Sequence, residues 1–374
     1  MRLLFVVNDA GFFLSHRLPI AIAAREAGYD VHVATIPGAA VNDVVTHGFT
    51  HHMVPLTRSG MNLFIELFGF WSIFRLFLRV KPDLVHLVTI KPVLYGGIAA
   101  RLAGVHGVVT AVSGLGFAFT ARGVRVGLVR LLIGGLYKLA FGKKNLRVIF
   151  QNPDDRAKLV ELGVARPNKS VMIRGSGADL SAYCVVPEPI GVPIVTMASR
   201  LLKDKGVCEF VEAARLLNEK GVKAHYWLVG DVDFRNPMSI SHSELELWRE
   251  DGLVELLGYR RDIAEIFAAS NLVVLPSYYG EGLPKVLVEA SACGRAVVTT
   301  DMPGCRDAIE VDVTGVLVPP RDAAALAAAI QRLLEDDDLR RRMGKAGRLL
   351  AEREFPIEKI VSAHLDVYQT LMHG

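Results

Sequence analysis

Runs of four to six β-branched and aliphatic residues alternate with helical stretches along this chain, and the series occurs twice. In the first half the strand-like runs are residues 3–7, 31–35, 84–88, 108–112 and 147–150; in the second they are 194–198, 224–229, 253–257, 272–275 and 296–300. Continuous apolar strands separated by helices predict parallel sheets covered on both faces. Between the two series Pro187, Pro189, Gly191 and Pro193 cluster, which marks a boundary. The expected fold class is α/β, with two doubly wound domains: residues 1–182, joined by a C-terminal helix at about 355–374, and residues 183–354. A length of 374 residues suits that division. Open sheets of this kind bind ligands beyond the carboxyl ends of their strands, so a central cleft between the domains is the expected site.

Composition removes several alternatives. Hydrophobic residues make up 51 % of the chain, which can fill two cores and excludes a disordered or disulfide-scaffold protein. The four cysteines, Cys184, Cys208, Cys293 and Cys305, show no CxxC pair and no Cys/His ligand spacing. They predict neither structural zinc nor disulfides, and a cytoplasmic setting. The N-terminal apolar run is short and carries no cleavage pattern. Residues 61–80 come nearest to a membrane span but contain Glu66, Arg75 and Arg79, so a soluble or membrane-surface protein is expected. Charge is divided unevenly. Residues 1–175 hold 21 Lys and Arg against 9 Asp and Glu, and the remainder 22 against 30, for a net +4. An anionic surface or ligand on the first half follows from that balance.

The most informative stretch is 272–294. A strand is followed by Pro276-Ser277, by Tyr279-Gly280-Glu281-Gly282-Leu283-Pro284, and by a helix from Lys285 to Cys293 closed by Gly294. Pro284 suits a first helical turn and Gly294 the left-handed position past the last. Two glycines let backbone approach a ligand, and the helix N-terminus offers unpaired N–H groups to an anion such as a diphosphate. Glu281 and Glu289 frame this turn. An ordinary reading of Glu289, an i,i+4 pair with Lys285, stays open. Directly after the first strand of the second domain, Arg200 and Lys205 lie in a strand-to-helix loop, where two cations would neutralise a departing diphosphate. A solvated basic loop is the alternative for either residue alone.

Four segments, Arg200…Lys205-Gly206, Gly230-Asp231, Gly258-Tyr259-Arg260 and Glu281-Gly282-Leu283-Pro284-Lys285…Glu289, resemble in order the donor motifs of retaining glycosyltransferases of family four. The first half resembles bacterial members that build capsular, O-antigen and other lipid-linked glycans. The resemblance implies the GT-B fold, two Rossmann-like domains with the nucleotide-sugar held mainly by the second. It implies that Arg200 and Lys205 bind the diphosphate and that Glu281 contacts the transferred sugar. It implies further that the backbone of Gly282, Leu283, Pro284 and Lys285 helps hold sugar and phosphates, that Glu289 takes the ribose hydroxyls, and that Arg260 lies where the base-binding loop falls. No metal and no cofactor is expected beyond a nucleotide-sugar donor linked to UDP. Asp231-Val232-Asp233 has the spacing of a metal motif but aligns with the family's Gly-Asp turn.

On the first domain, Gly11 matches the family's glycine loop, with one glycine where many relatives have two. Asp9, Ser15 and His16 are acceptor-side candidates, although Ser15 also reads as a helix cap. Ser113 stands at or near the place where many members carry a sugar-contacting His. His86 at a strand end reads as structural. Residues 122–147 carry seven cations and no acid among aliphatic residues, and residues 61–80 add Phe64, Phe68, Phe70, Trp71, Phe74 and Phe77. Basic, aromatic-rich amphipathic helices settle in anionic headgroups; burial as ordinary α/β helices is the alternative. The expected activity is retaining transfer of a hexose or N-acetylhexosamine from a UDP-sugar to a polyprenyl-diphosphate-linked saccharide, on the inner face of the cell membrane. A soluble or other lipid acceptor, a UDP-sugar 2-epimerase of the same fold and a non-catalytic membrane scaffold are the competing readings. A dinucleotide oxidoreductase is disfavoured because no GxGxxG follows a strand. Nucleic acid is disfavoured by the aliphatic interleaving of the basic stretch and a pI near 8.8.

Overall fold

The structure, a computed structural model, describes residues 1–56, 62–115, 133–233 and 236–373. Two compact units are present, Met1–Ser176 with Glu358–Gly374, and Gly177–Ile357. Ala178 pairs in parallel with Pro356, so the chain enters and leaves the second unit side by side.

The first unit contains β1 (Arg2–Val6), β2 (Asp30–Thr35), β3 (Thr50–Met53), β4 (Leu84–Val88), β5 (Gly107–Val112), β6 (Leu146–Phe150) and β7 (Ser170–Met172). They form one sheet in the order β3-β2-β1-β4-β5-β6-β7, every pair parallel. The second contains β8 (Ile194–Ala198), β9 (His225–Val229), β10 (Glu255–Gly258), β11 (Leu272–Leu275), β12 (Ala296–Thr300) and β13 (Gly315–Val318). Their order is β10-β9-β8-β11-β12-β13, again all parallel. The doubly wound α/β architecture expected from the alternating runs is therefore present in each unit. Strand order reverses at β1/β4 and at β8/β11, and at such a point two loops diverge and leave a crevice at the carboxyl ends.

Helices complete the layers. The apolar stretch after β1 is divided between two helices, Ala10–His16 and Leu18–Glu26. Pro19 is the cause: it lacks an N–H and its ring clashes with the preceding turn, so it is accepted only in the opening turn of a new helix. Asp9 caps the first helix, accepting from the Phe12 N–H at 3.1 Å. The tail forms helices Ala323–Glu335, Asp337–Glu354 and Ile357–His373. The last packs on the first unit, burying Ile360, Val367, Tyr368 and Leu371 among strand side chains. His86 lies within β4, fully buried, with Nδ1 2.5 Å from the Tyr368 hydroxyl. It is a structural histidine.

The Leu63–Val80 helix starts on Asn62, which accepts from the Phe64 N–H at 3.1 Å. Gly69, Ile73, Leu76, Phe77 and Val80 are buried, whereas Phe64, Phe68 and Trp71 are 82 %, 63 % and 54 % exposed. Glu66 anchors the helix to the helical segment that follows β4: its two oxygens meet Lys91 Nζ and the Tyr95 hydroxyl, each at 2.6 Å. Of the basic stretch 122–147, residues 122–132 lie outside the described residues. Its described part contributes Tyr137, Ala140 and Phe141 to the core. No helix among the described residues is long and apolar enough to cross a membrane.

Candidate active site at the carboxyl edge of the second sheet

Beyond β8 the chain passes through Ser199 and Arg200 into a 3₁₀ turn, Lys203–Lys205, and then the Val207–Glu219 helix. Gly206 lies between them with φ +81°, and a Cβ there would stand 2.2 Å from the Pro276 carbonyl oxygen. Only glycine lets the loops after β8 and β11 approach so closely. The Asp204 carbonyl then accepts the Tyr278 N–H (3.0 Å), the Tyr279 N–H (3.1 Å) and the Ser277 hydroxyl (3.2 Å). This hub brings Lys205 to Glu281, with the ammonium donating to Oε1. Ser277 Oγ donates to the same oxygen at 2.9 Å. The two charged side chains are 15 % and 12 % exposed, so the pair is largely desolvated yet reachable from outside.

Two further glycines shape the edge. At Gly304 (φ +82°) a Cβ would stand 2.5 Å from the Gly282 carbonyl oxygen and 2.7 Å from that of Glu281. At Gly230 (φ +136°) it would overlap the Ser199 carbonyl oxygen at 1.7 Å. Burial and the nearby Glu281 push the Tyr279 phenol up to about 12, so its hydroxyl stays protonated beside the Lys205 ammonium, which lies 5.6 Å from the ring centroid. Burial also raises Asp204, whose Oδ1 finds no hydrogen-bond partner among the described residues. A desolvated cation, held by a carboxylate that an incoming anion can replace, is suited to stabilising charge that develops on a leaving group.

The other expected residues divide. Arg200 is half exposed and pairs with Asp233 at 3.2 Å, beside the Lys205 loop. Gly282, Leu283 and Pro284 are buried in the turn between Glu281 and the Lys285–Ala292 helix. Glu289, in that helix, is buried: Lys285 Nζ lies 2.8 Å from its Oε1, and the Tyr183 hydroxyl donates to the same oxygen. The i,i+4 pair is therefore real, but it is not a surface pair. Arg260 stands after β10, the outermost strand, and makes a two-point contact with Asp262, one of whose distances is 2.8 Å.

In the first unit, Asp9 and Gly11 lie at the start of the helix that follows β1, at the β1/β4 reversal. Ser15 caps no helix: its hydroxyl donates to the Phe12 carbonyl at 3.2 Å and lies 2.6 Å from His16 Nδ1. Asp9 already serves the first helix, and Arg17 precedes the second without a side-chain capping bond. His16 stacks on Phe12 with centroids 4.1 Å apart. Ser113 is half-buried just past β5. Sequence reasoning missed Ser277, Asp204, Asp233 and Tyr183. Ser277, the second residue past an apolar strand, carried a usable signal; the others become visible only when distant loops meet.

Fold and edge together define a GT-B glycosyltransferase. Residues 186–350 match the model of glycosyl transferases group 1, and residues 2–152 match the glycosyl transferase 4-like model. The structure of Anabaena HepE in complex with UDP-glucose superposes with a TM-score of 0.78 at 21 % identity, covering 99 % of this chain and 100 % of that one. An N,N'-diacetylbacillosaminyl-diphospho-undecaprenol alpha-1,3-N-acetylgalactosaminyltransferase of Campylobacter jejuni is 31 % identical over 362 residues, 92 % of each chain. A UDP-Gal:alpha-D-GlcNAc-diphosphoundecaprenol alpha-1,3-galactosyltransferase of Escherichia coli is 27 % identical over 354 residues, 91 % of this chain and 89 % of its own. The chain belongs to this glycosyltransferase family, and it is a glycosyltransferase.

Proposed function

We propose that the chain transfers a hexose or N-acetylhexosamine from a UDP-sugar to a polyprenyl-diphosphate-linked saccharide, with retention of anomeric configuration, during assembly of a bacterial surface glycan. The acceptor class is supported by the Campylobacter and Escherichia coli relatives, whose names carry diphospho-undecaprenol acceptors over nine-tenths of this length. The donor class is supported by the name of the second relative and by the UDP-glucose complex of similar fold. Both relatives are named for alpha linkages, which retention gives from an alpha-configured UDP-sugar.

The observation that carries the mechanism is the desolvated Lys205–Glu281 pair at the β8/β11 reversal. The donor diphosphate takes Lys205 and Arg200, and Glu281, released from the ammonium, turns to the sugar hydroxyls. The acceptor oxygen bonds to the anomeric carbon as the bond to the diphosphate breaks, and the acceptor proton passes to the departing phosphate oxygen. The protein supplies position and fixed positive charge. Lys205 and Arg200 do this without a divalent metal. On the first unit, Asp9, His16 and Ser113 serve the acceptor, and the exposed aromatic side of the Leu63–Val80 helix rests on the inner leaflet of an anionic membrane.

The test is incubation with a panel of UDP-sugars and an undecaprenyl-diphosphate-linked disaccharide in EDTA, with the product analysed by mass and by proton NMR of the new anomeric centre. One UDP-sugar should give an alpha-linked product. Turnover only of a soluble acceptor, a beta-linked product, or loss of activity in EDTA each rejects the corresponding part.

A further inference from the structure

Glu289 is fixed from two directions at one oxygen. Lys285 reaches Oε1 from one turn earlier in the same helix, and Tyr183, at the head of the proline-rich segment, donates its hydroxyl to that atom. Tyr183 is held in turn. One Arg348 nitrogen, Nη1, donates to the Tyr183 carbonyl and to the Ala292 carbonyl, both at 2.7 Å, so a single guanidinium ties the tyrosine to the far end of the helix that bears Glu289. The next turn of chain stays close: a Cβ on Gly294 would meet Val185 at 3.2 Å. Burial and the adjacent carboxylate raise the Tyr183 phenol, so it remains a donor at all working pH values. A helical Glu–Lys pair needs no such strut. A carboxylate that must meet a diol in one orientation does, because its several rotatable bonds would otherwise be frozen at the moment of binding.

We propose that Tyr183 is a positioning residue of the donor site, holding Glu289 Oε1 so that the second oxygen, Oε2, accepts a ribose hydroxyl of the nucleoside diphosphate. The proposal rests on the donor site proposed above and on the ribose role that the family resemblance implies for Glu289. Oε1 already has two donors, and the hydroxyl completes the carboxylate. Without the phenol, Glu289 keeps its lysine but loses its fixed plane, which weakens nucleotide binding more than it slows the chemical step.

Calorimetric titration with UDP, 2′-deoxy-UDP and 3′-deoxy-UDP separates the possibilities. In the unaltered protein, removing the contacted hydroxyl should weaken binding about tenfold, the scale of one hydrogen bond to a charged group. Tyr183→Phe should weaken UDP by about the same factor, reduce hydroxyl discrimination below about threefold, and raise KM for the UDP-sugar while kcat changes by no more than about twofold. In a Glu289→Ala background, Tyr183→Phe should add nothing. Full discrimination in Tyr183→Phe, or additive losses in the double variant, overturns the proposal alone. A Glu289→Ala protein that binds UDP as tightly as wild type overturns the donor-site reading and this proposal with it. Should Tyr183→Phe fail to fold, 3-fluorotyrosine placed at position 183 gives a fluorine resonance that should shift with UDP and shift less with the discriminated deoxy analogue. A resonance unmoved by saturating UDP overturns the proposal.

Discussion

Lys205 shows how a side chain can matter little to folding and much to chemistry. Its ammonium meets Glu281 and lies over Tyr279, but neither the β8 loop nor the β11 loop depends on it. The Asp204 carbonyl and the glycine at 206 hold those together. Lys205→Ala should therefore lower turnover by about 10²-fold or more, the scale of one lost electrostatic stabiliser. The protein should still fold, at a melting temperature lowered because the shielded Glu281 carboxylate loses its cation. Steady-state transfer rates beside thermal melts check both, and near-wild-type turnover counts against the diphosphate role. A glycine behaves in the opposite way. Gly304→Ala forces a Cβ into the Glu281–Gly282 backbone at a φ that alanine resists, so both melting temperature and UDP affinity should fall. A variant that melts like wild type and binds UDP normally would show that the loop tolerates the displacement. Arg200, Lys205, Glu281 and Glu289 could be singled out in the sequence because their spacing follows local strand–loop–helix geometry, and the structure brings Lys205 to Glu281. Asp204 and Tyr183 were not, because an ordinary acid and an ordinary tyrosine gain their roles only from residues about 70 to 100 positions away.

In the first sheet central strands could be read from sequence and edge strands could not, for the same reason that they differ in burial. β4 and β5 are buried at every position and read as apolar runs, interrupted only by His86 and Thr110. β3 is Thr-His-His-Met, exposed or half-buried throughout, and β7 is three residues long, so neither carries an apolar signature. The last helix belongs to the first unit, as expected, but its fastening there is not legible in the sequence. Tyr368 bonds His86, and His364 stacks on His86 with centroids 5.6 Å apart. Both imidazoles are fully buried. Burial first, then the nearby Arg17, lowers His364 to about 3 and His86 well below its ordinary 6.5. Once unfolded, each titrates near 6.5, so below that pH the unfolded chain binds protons that the folded chain refuses. Stability is thus fully present above about pH 6.5 and falls as pH drops toward the folded values, at up to about 1.4 kcal/mol per pH unit for each histidine. Melting temperature should decline between pH 7 and pH 5, where carboxylates with ordinary pKa values contribute little. His364→Leu should make that decline shallower; an unchanged slope would mean the buried histidines do not control it.

The two units share a winding order but not a sign of charge. Met1–Ser176 with Glu358–Gly374 carries 22 Lys and Arg against 11 Asp and Glu, and Gly177–Ile357 carries 21 against 28. Fold cannot account for that difference, since both sheets are parallel and reverse at the same place in their strand order. Charge of this kind acts on partners and association rather than on architecture. The positive unit is also the one with Phe64, Phe68 and Trp71 exposed along one helix, while Glu66 and the buried positions pin that helix to the rest of the unit. Apolar burial in an acyl boundary and attraction to anionic headgroups then reinforce each other, and the two contributions respond to different variables. Phosphatidylglycerol vesicles should sediment the protein at about 0.01 M salt, where the Debye length is about 30 Å, and several-fold less at about 0.15 M, where it is about 8 Å. Phosphatidylcholine vesicles should retain only the weaker apolar share. Replacing Phe64, Phe68 and Trp71 together by Ser should release the protein from anionic vesicles at either salt, with little change in melting temperature because these side chains contribute little to the core. A protein that stays in the supernatant with anionic vesicles at low salt would leave the charge asymmetry without this partner, and the lipid-linked acceptor would have to reach the enzyme by another route.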